Sequence, residues 1–198
     1  MKGINMTNIN FRGSKTEQLV INAFAGESQA RNRYTFYSKI AKKEGYEQIS
    51  AIFLETAENE KEHAKLFYKH LENLNSGHTD AFYPFTIGTT EENLLSAIKG
   101  EEEEFQVLYL NGERVALEEG FDSIASTFKH VQNAEKHHAQ RFQMLLNNLK
   151  NNSIFKKDNE ETWICRKCGY TLNGKSAPDY CPSCYHAKGY FQLLCDKY

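Results

Sequence analysis

The sequence predicts a mainly α-helical protein: a four-helix bundle with one long crossover, followed by a small β domain that carries the cysteines. Apolar residues recur at three- and four-residue spacing along most of the region before position 150. The longest interruption of that pattern is 75–88, where glycine, aspartate and proline accumulate. All five cysteines lie between positions 165 and 195, a distribution that favours a separate module.

The first two helices are predicted from a cap and an apolar stripe. Ser14 followed by Glu17 forms a capping box, and the helix it begins runs to about Lys43. Gly45 ends this pattern. The stripe of the second helix comprises Ile49, Phe53, Thr56, Phe67, Leu71 and Leu74.

The third helix is predicted from Thr90 to about Glu118, and Gly120 separates it from the fourth. The stripe of the fourth helix comprises Phe121, Ile124, Phe128, Val131, Phe142, Leu145 and Leu149. Four helices joined by one long crossover form the ferritin-like arrangement.

The second and fourth helices repeat each other at a constant spacing of 75 positions. Residues 44–49 (EGYEQI) match residues 119–124 (EGFDSI), and the likeness continues through both helices. The repeat predicts duplicated helix pairs and an internally pseudo-symmetric site.

A polar stretch follows the last apolar stripe and marks the predicted domain boundary. We expect the bundle to occupy 1–150, a linker 151–160, and the cysteine domain 161–198.

Charge and hydropathy exclude two classes of partner. The net charge of -2 gives no basic field for nucleic acid. Apolar runs are far shorter than a membrane span, and residues 1–10 lack an apolar signal core. The sequence therefore predicts a soluble, cytoplasmic protein without nucleic-acid or membrane partners.

Ionisable residues occupy core positions of all four helices. The two stripes above contain Glu60 with His63 and Glu135 with His138, each in the spacing Glu-x-x-His. The first helix contributes Glu27, and the third contributes Glu101 and Glu104 between Leu94, Ile98, Phe105 and Leu108.

So many acids inside one bundle require cations to compensate them, since an unpaired buried carboxylate costs several kcal/mol. Mixed carboxylate and imidazole ligands suit iron or manganese, and this pattern on four helices is typical of di-iron or di-manganese sites. The opposing interpretation, a solvated face, applies best to the run 101–104 taken alone. Outside the site we expect exposed side chains at Glu58, Glu62, Glu102, Glu103 and His137.

Two knuckles, Cys165-x-x-Cys168 and Cys181-x-x-Cys184, predict one tetrahedral four-thiolate site. Spacing alone leaves iron and zinc open. An aromatic shell favours iron, whose potential it would tune, and we expect this shell from Trp163, Tyr170, Tyr180 and Phe191. Cys195 is expected to be a free buried thiol.

These residues together resemble the rubrerythrin family across nearly the whole chain. The segment 25–34 (AGESQARNRY) is similar to the family's first-helix signature, the two Glu-x-x-His pairs to its ligand pairs, and 165–184 to its rubredoxin-like, zinc-ribbon-like domain.

The resemblance implies a di-iron site and one iron in a four-cysteine site. It assigns Glu27, Glu60, His63 and Glu104 to one iron and Glu101, Glu135 and His138 to the other, with carboxylates bridging. It also implies that His63 and Glu104 exchange as ligands when the redox state changes. Tyr34 and Tyr109 match family tyrosines near the di-iron centre, where a phenol could hydrogen-bond a ligand carboxylate, although simple aromatic packing explains them equally well. His186 matches a family histidine near the route between the two centres.

The resemblance further implies an NADH-linked peroxidase that reduces hydrogen peroxide to water and protects against oxidative stress. Electrons would come from an NAD(P)H-dependent reductase, directly or through a rubredoxin, and the chain would form a homodimer or homotetramer. Three alternatives stay open: oxygen reduction or ferroxidase activity, iron storage as in ferritins, and a zinc-bound interaction module beside an independent bundle.

Overall fold

The computed structural model describes residues 10–196 and contains the expected helical bundle and small β domain. The helices and strands, in chain order, are α1 (Lys15–Lys43), α2 (Glu47–Leu71), α3 (Thr90–Glu103), a π-helical turn (Glu104–Leu108), α4 (Tyr109–Glu118), α5 (Asp122–Lys150), β1 (Lys156–Cys165), β2 (Thr171–Ser176), a 3₁₀ turn (Lys188–Tyr190) and β3 (Phe191–Leu193). Together α3, the π turn and α4 form the predicted third helix. The predictions made for residues 1–9 and 197–198 lie outside the described residues.

The ends of the helices show the predicted repeat. Gly45 and Gly120 adopt φ of +86° and +83°, the left-handed conformation that glycine favours just past a helix. Glu44 accepts a hydrogen bond from Thr90 N at the start of α3, and Glu119 accepts one from Thr16 N at the start of α1. In each helix pair, the glutamate that follows the first helix therefore accepts a hydrogen bond from the start of the first helix of the other pair.

The core consists of two aromatic clusters. One contains Phe53 against Phe142, with ring centroids 5.1 Å apart. The other contains Phe67 against Phe128, at 5.0 Å. Under the 75-position repeat Phe53 corresponds to Phe128, and Phe67 corresponds to Phe142. One cluster is therefore the pseudo-symmetric counterpart of the other, and the layer between them is pseudo-symmetric as well.

The π turn corrects one prediction about the third helix. Leu108, expected in the core, is exposed, whereas Tyr109 is buried. A π turn accommodates one extra residue in the helix, which rotates the following residues away from the three-and-four spacing. Uninterrupted helical periodicity therefore selected the wrong residue.

The crossover lies along α1. Gln18 Nε2 donates to His78 O at 2.7 Å, and Tyr37 Oη donates to Thr86 O at 3.1 Å. The connection thus covers the outer surface of the bundle over several turns of α1.

The C-terminal domain is a three-stranded antiparallel sheet in the order β2-β1-β3. Residues 156–160, expected to belong to the linker, form the first half of β1. Their polar side chains suggested a linker, but they are compatible with a strand because most of them face solvent. The chain between α5 and β1 is correspondingly short.

The β domain contacts its own bundle at the α1–α2 turn. A Cβ added at Gly189 would collide with Gly45 O, so the 3₁₀ turn approaches that backbone as closely as glycine permits. The rings of Tyr46 and Phe155 stack beside this contact, with centroids 6.1 Å apart. Among the described residues, no helix is long and apolar enough to cross a membrane.

Candidate metal centres

The bundle brings together all seven predicted carboxylate and imidazole residues between the two aromatic clusters. The five glutamates and His138 are buried, and His63 is nearly so. Each of the predicted exposed residues, Glu58, Glu62, Glu102, Glu103 and His137, faces solvent. For these residues, helical spacing therefore predicted correctly which ionisable side chains face the core and which face solvent.

Glu60 and Glu135 lie between the two histidines. His63 Nδ1 is 2.9 Å from Glu60 Oε2 and 2.8 Å from Glu135 Oε1. His138 Nδ1 is 3.2 Å from Glu60 Oε1 and 2.7 Å from Glu135 Oε2. Each of the two carboxylates thus presents one oxygen to each histidine, the arrangement that two bridging ligands require.

Two groups of potential ligand atoms result, each within 4.8 Å: Glu27, Glu60, His63 and Glu135 in one, and Glu60, Glu101, Glu135 and His138 in the other. Ligand atoms on one cation at about 2.1 Å lie about 3 Å from one another, which matches the histidine–carboxylate distances. The division differs from the one that the resemblance implied, since Glu60 and Glu135 each belong to both groups and Glu104 to neither.

The same atoms lack ordinary hydrogen-bond partners. Within the described part of the chain, Nδ1 of both histidines and at least one oxygen of each of Glu27, Glu60, Glu101 and Glu135 are buried and unpaired. Buried polar groups in native proteins are normally satisfied. Metal ions between them would satisfy all of these atoms at once, so the residues present fit a pair of cations.

The electrostatics agree with this fit. Burial, followed by the charge of Glu135, raises the pKa of Glu27 well above its ordinary value, and burial followed by Glu60 does the same to the pKa of Glu135. Burial would also raise the pKa of Glu60, but the imidazoles of His138 and His63 close beside it outweigh burial and lower that pKa. Burial opposes protonation of His138, yet the adjacent carboxylates of Glu101 and Glu135 raise its pKa. Without cations, the cluster retains protons to offset its negative charge.

Two tyrosines fix the terminal carboxylates. Tyr34 Oη donates to Glu101 Oε1, and Tyr109 Oη donates to Glu27 Oε1. Burial, followed by a neighbouring glutamate, raises the pKa of both phenols well above the ordinary value, so both stay protonated donors. Contact with the carboxylates, rather than aromatic packing alone, is therefore what the structure supports for both rings.

Glu104 breaks the pseudo-symmetry. Tyr34 follows Glu27 by seven positions, whereas Tyr109 follows Glu101 by eight. The π turn, which lies between Glu101 and Tyr109, accommodates the extra residue. Glu104 begins this turn, is buried, and has a pKa raised well above its ordinary value by burial and then by Glu101. It is an additional carboxylate at one end of the site.

The second centre consists of the four predicted cysteines. Cys165 Sγ lies 3.8 Å from Cys184 Sγ, and Cys168 Sγ lies 3.6 Å from Cys181 Sγ. All four sulfurs fall within 4.8 Å of one another, and none forms a disulfide. This is the spacing of four thiolates around one tetrahedral cation.

One of the four thiols, that of Cys168, has a lowered pKa. A backbone hydrogen bond from Tyr170, followed by an interaction with the Cys184 side chain, lowers the pKa of Cys168 to about 7. Burial raises the pKa of Cys165 instead. A cation bound here would hold all four as thiolates.

The aromatic shell and Cys195 differ from expectation. Trp163 and Phe191 are fully buried beside the cysteines, whereas Tyr170 and Tyr180 are exposed. Cys195 is also exposed, because it lies beyond β3, where no further strand covers it. His186 lies near the centre: its Nδ1 is 3.1 Å from Cys184 O.

One residue near the bundle site was not singled out from the sequence. Tyr83 of the crossover lies beside Glu104 and Gly26. A crossover has no helical periodicity to indicate which side chains face the protein, so only the folded structure identifies it.

Comparison with known proteins agrees with both centres. Residues 18–146 match the family model described as rubrerythrin, and residues 163–192 match the model described as rubrerythrin, rubredoxin-like domain. Rubrerythrin-1 of Clostridium acetobutylicum is 50% identical over 191 residues, covering 94% of this chain and 98% of that protein. The rubrerythrin of Porphyromonas gingivalis is 47% identical, covering 96% of each.

Among solved structures, fully reduced nigerythrin superposes with a TM-score of 0.62 at 30% identity, covering 96% of this chain and 95% of that one. Mycobacterium tuberculosis bacterioferritin reaches 0.62 at 17% identity, over 76% of this chain and 90% of its own, a likeness of fold alone. With its ferritin-like di-iron carboxylate and histidine site and its four-cysteine rubredoxin-type site, this chain belongs to the rubrerythrin family.

Proposed function

We propose that this protein is a non-haem di-iron peroxidase that reduces hydrogen peroxide to water and protects the cell against oxidative stress. The observation that carries the proposal is the pair of nearly equivalent ligand groups sharing Glu60 and Glu135. Reduction of peroxide takes two electrons and two protons. Held by these residues, a pair of ferrous ions would supply one electron each, so that no radical need be released.

The ligand roles follow from the two groups. Glu27 and His63 would hold one iron and Glu101 and His138 the other, with Glu60 and Glu135 within reach of both. Tyr109 and Tyr34 hold the terminal carboxylates through their hydroxyl protons. These hydrogen bonds restrict rotation of both carboxylates and so keep the two metal positions adjacent.

Glu104 is proposed as the residue that alternates with His63. It lies outside both ligand groups while His63 lies inside one. Its raised pKa, caused by burial and Glu101, makes it a group that can hold a proton inside the bundle when it is not a ligand.

The cysteine centre is proposed to bind one iron, through Cys165, Cys168, Cys181 and Cys184, and to return electrons to the bundle. A four-thiolate iron is a one-electron carrier, whereas a protein that only stored iron would have no use for one. The external source proposed is an NAD(P)H-dependent reductase, directly or through a rubredoxin. We also propose a homodimer or homotetramer in which one subunit's cysteine centre serves another's bundle.

The cysteines also support a reducing compartment. All five lie within the described residues and are unpaired, as expected in the cytoplasm. We therefore propose a cytoplasmic location.

The test is anaerobic and follows iron absorbance by stopped flow. The fully reduced protein is mixed with one equivalent of hydrogen peroxide or of oxygen, and the absorbance of both centres is recorded. Rapid oxidation by peroxide and slow oxidation by oxygen are expected. Faster oxidation by oxygen would favour an oxygen reductase or ferroxidase, and absence of a thiolate–iron band would make the second centre a zinc module.

A matched variant separates the two centres. Cys168→Ser removes a thiolate from the β domain and leaves the bundle unchanged. We expect this variant to complete one peroxide reduction at the wild-type rate but to be re-reduced slowly. Normal re-reduction would contradict the relay.

A further inference from the structure

The two ligand-type residues that are least shielded from solvent are Glu104 and His63. Glu104 is 9% exposed and the His63 side chain 12%, whereas the other five ligand-type residues are 4% exposed or less. A small molecule that reaches the site from solvent therefore meets the least protein beside these two residues.

Tyr83 lies beside Glu104, one of these two residues. A Cβ added at Gly26 would be 3.8 Å from Tyr83 Cε1 and 3.8 Å from Glu104 Oε1. The ring and the carboxylate thus converge on the bare backbone of Gly26. Burial is the main cause that raises the pKa of the Tyr83 phenol, and the charge of Glu104 contributes, which places the two side chains in one environment.

The orientation of Tyr83 is fixed by Asn22. Tyr83 Oη donates to Asn22 O at 3.0 Å. The amide of Asn22 donates to Asp80 Oδ1 at 2.7 Å, and Thr86 O accepts from Tyr37 on the other side. The segment is therefore pinned to α1 both before and after Tyr83, and the ring cannot swing away without breaking these contacts.

The neighbouring aromatics show that this placement is specific. Phe82 is 95% exposed and Phe85 is 89% exposed. The two phenylalanines on either side of Tyr83 therefore project into solvent. Only the tyrosine of this trio faces the bundle.

We propose that Tyr83 forms the outer wall of the bundle site at Glu104 and controls the entry of small molecules from solvent. The inference rests on the proposed function in one respect, since it requires iron at the bundle site. It goes further in assigning the entrance to the crossover segment and to one aromatic ring.

The test measures how fast azide, a small anion, reaches the oxidised iron-loaded protein. Stopped-flow absorbance of the azide-to-iron band gives association and dissociation rates for the wild type, Tyr83→Ala and Phe82→Ala. The Phe82 variant is the matched control, because it deletes an equally large ring from the same segment but away from the site.

Truncation of an entrance residue changes the association and dissociation rates of azide by the same factor and leaves the dissociation constant unchanged. We expect Tyr83→Ala to bind and release azide faster by about threefold or more, a barrier lower by about 0.7 kcal/mol, with an unchanged dissociation constant. Phe82→Ala should match the wild type. Tyr83→Phe keeps the ring but loses the hydrogen bond to Asn22 and should give intermediate rates; it also serves if the alanine variant folds poorly.

Equal rates in Tyr83→Ala and the wild type would overturn the inference. A changed dissociation constant with unchanged association would do the same, because it would show a distorted site rather than an opened entrance. Failure of the proposed function is separately visible: the wild type would then bind no iron in the bundle, or would bind azide normally yet fail to reduce peroxide.

Discussion

Removal of iron should make the stability of the bundle fall steeply as pH rises. Glu27, Glu104 and Glu135 all have pKa values well above the ordinary 4.5, chiefly because they are buried. Above pH 4.5 the unfolded chain has lost protons that the folded, metal-free chain retains. Protons therefore favour the folded state, and the stability that they give is lost as pH rises towards the folded pKa values.

The magnitude follows from the number of retained protons. Each proton that the folded chain retains is worth about 1.4 kcal/mol per pH unit, which amounts to about 3 kcal/mol for a proton retained from about pH 5.5 to 7.5. For a protein of this size that lowers Tm by about 6 to 12 °C, and three retained protons would multiply the effect. The raised pKa values of His63 and His138 act in the same direction above pH 6.5. The lowered pKa of Glu60 acts only below 4.5, outside this range.

The assay compares metal-free and iron-loaded protein by far-ultraviolet circular dichroism melts across this pH range. Iron holds the carboxylates deprotonated, so the loaded protein should lack the fall. Glu27→Gln should flatten the metal-free slope by about 1.4 kcal/mol per pH unit. A metal-free Tm that stays constant or rises between these pH values would refute the reasoning.

Two further predictions concern glycines. A Cβ at Gly189 would collide with Gly45 O, so Gly189→Ala should detach the β domain from its own bundle without altering the cysteine–iron spectrum. Limited proteolysis between the two domains should then be faster than in the wild type. An unchanged cleavage rate would contradict the contact. A Cβ at Gly112 would lie 2.7 Å from the buried Phe128 ring, so Gly112→Ala should be less stable than Gly100→Ala by about 1 to 3 kcal/mol. Both gain the same helix propensity, which makes urea unfolding of the pair a direct measure of overpacking, and equal stabilities would argue against it.

The sequence by itself determined the fold class and the inward-facing acids. Helical periodicity places residues three apart on one face whatever surrounds them, so Glu60, His63, Glu135 and His138 could be assigned to the core without coordinates. The cysteine knuckles were equally local, because each pair is three positions apart and needs only a turn to converge.

Tertiary structure decided what periodicity cannot express. The sharing of Glu60 and Glu135 between two ligand groups depends on how α2 and α5 face each other. The exposure of Leu108 depends on a π turn that no spacing rule anticipates, and the position of Tyr83 depends on how the crossover lies on α1. Local patterns fix which way a side chain points from its own helix, but contacts between distant segments arise only when the whole bundle packs.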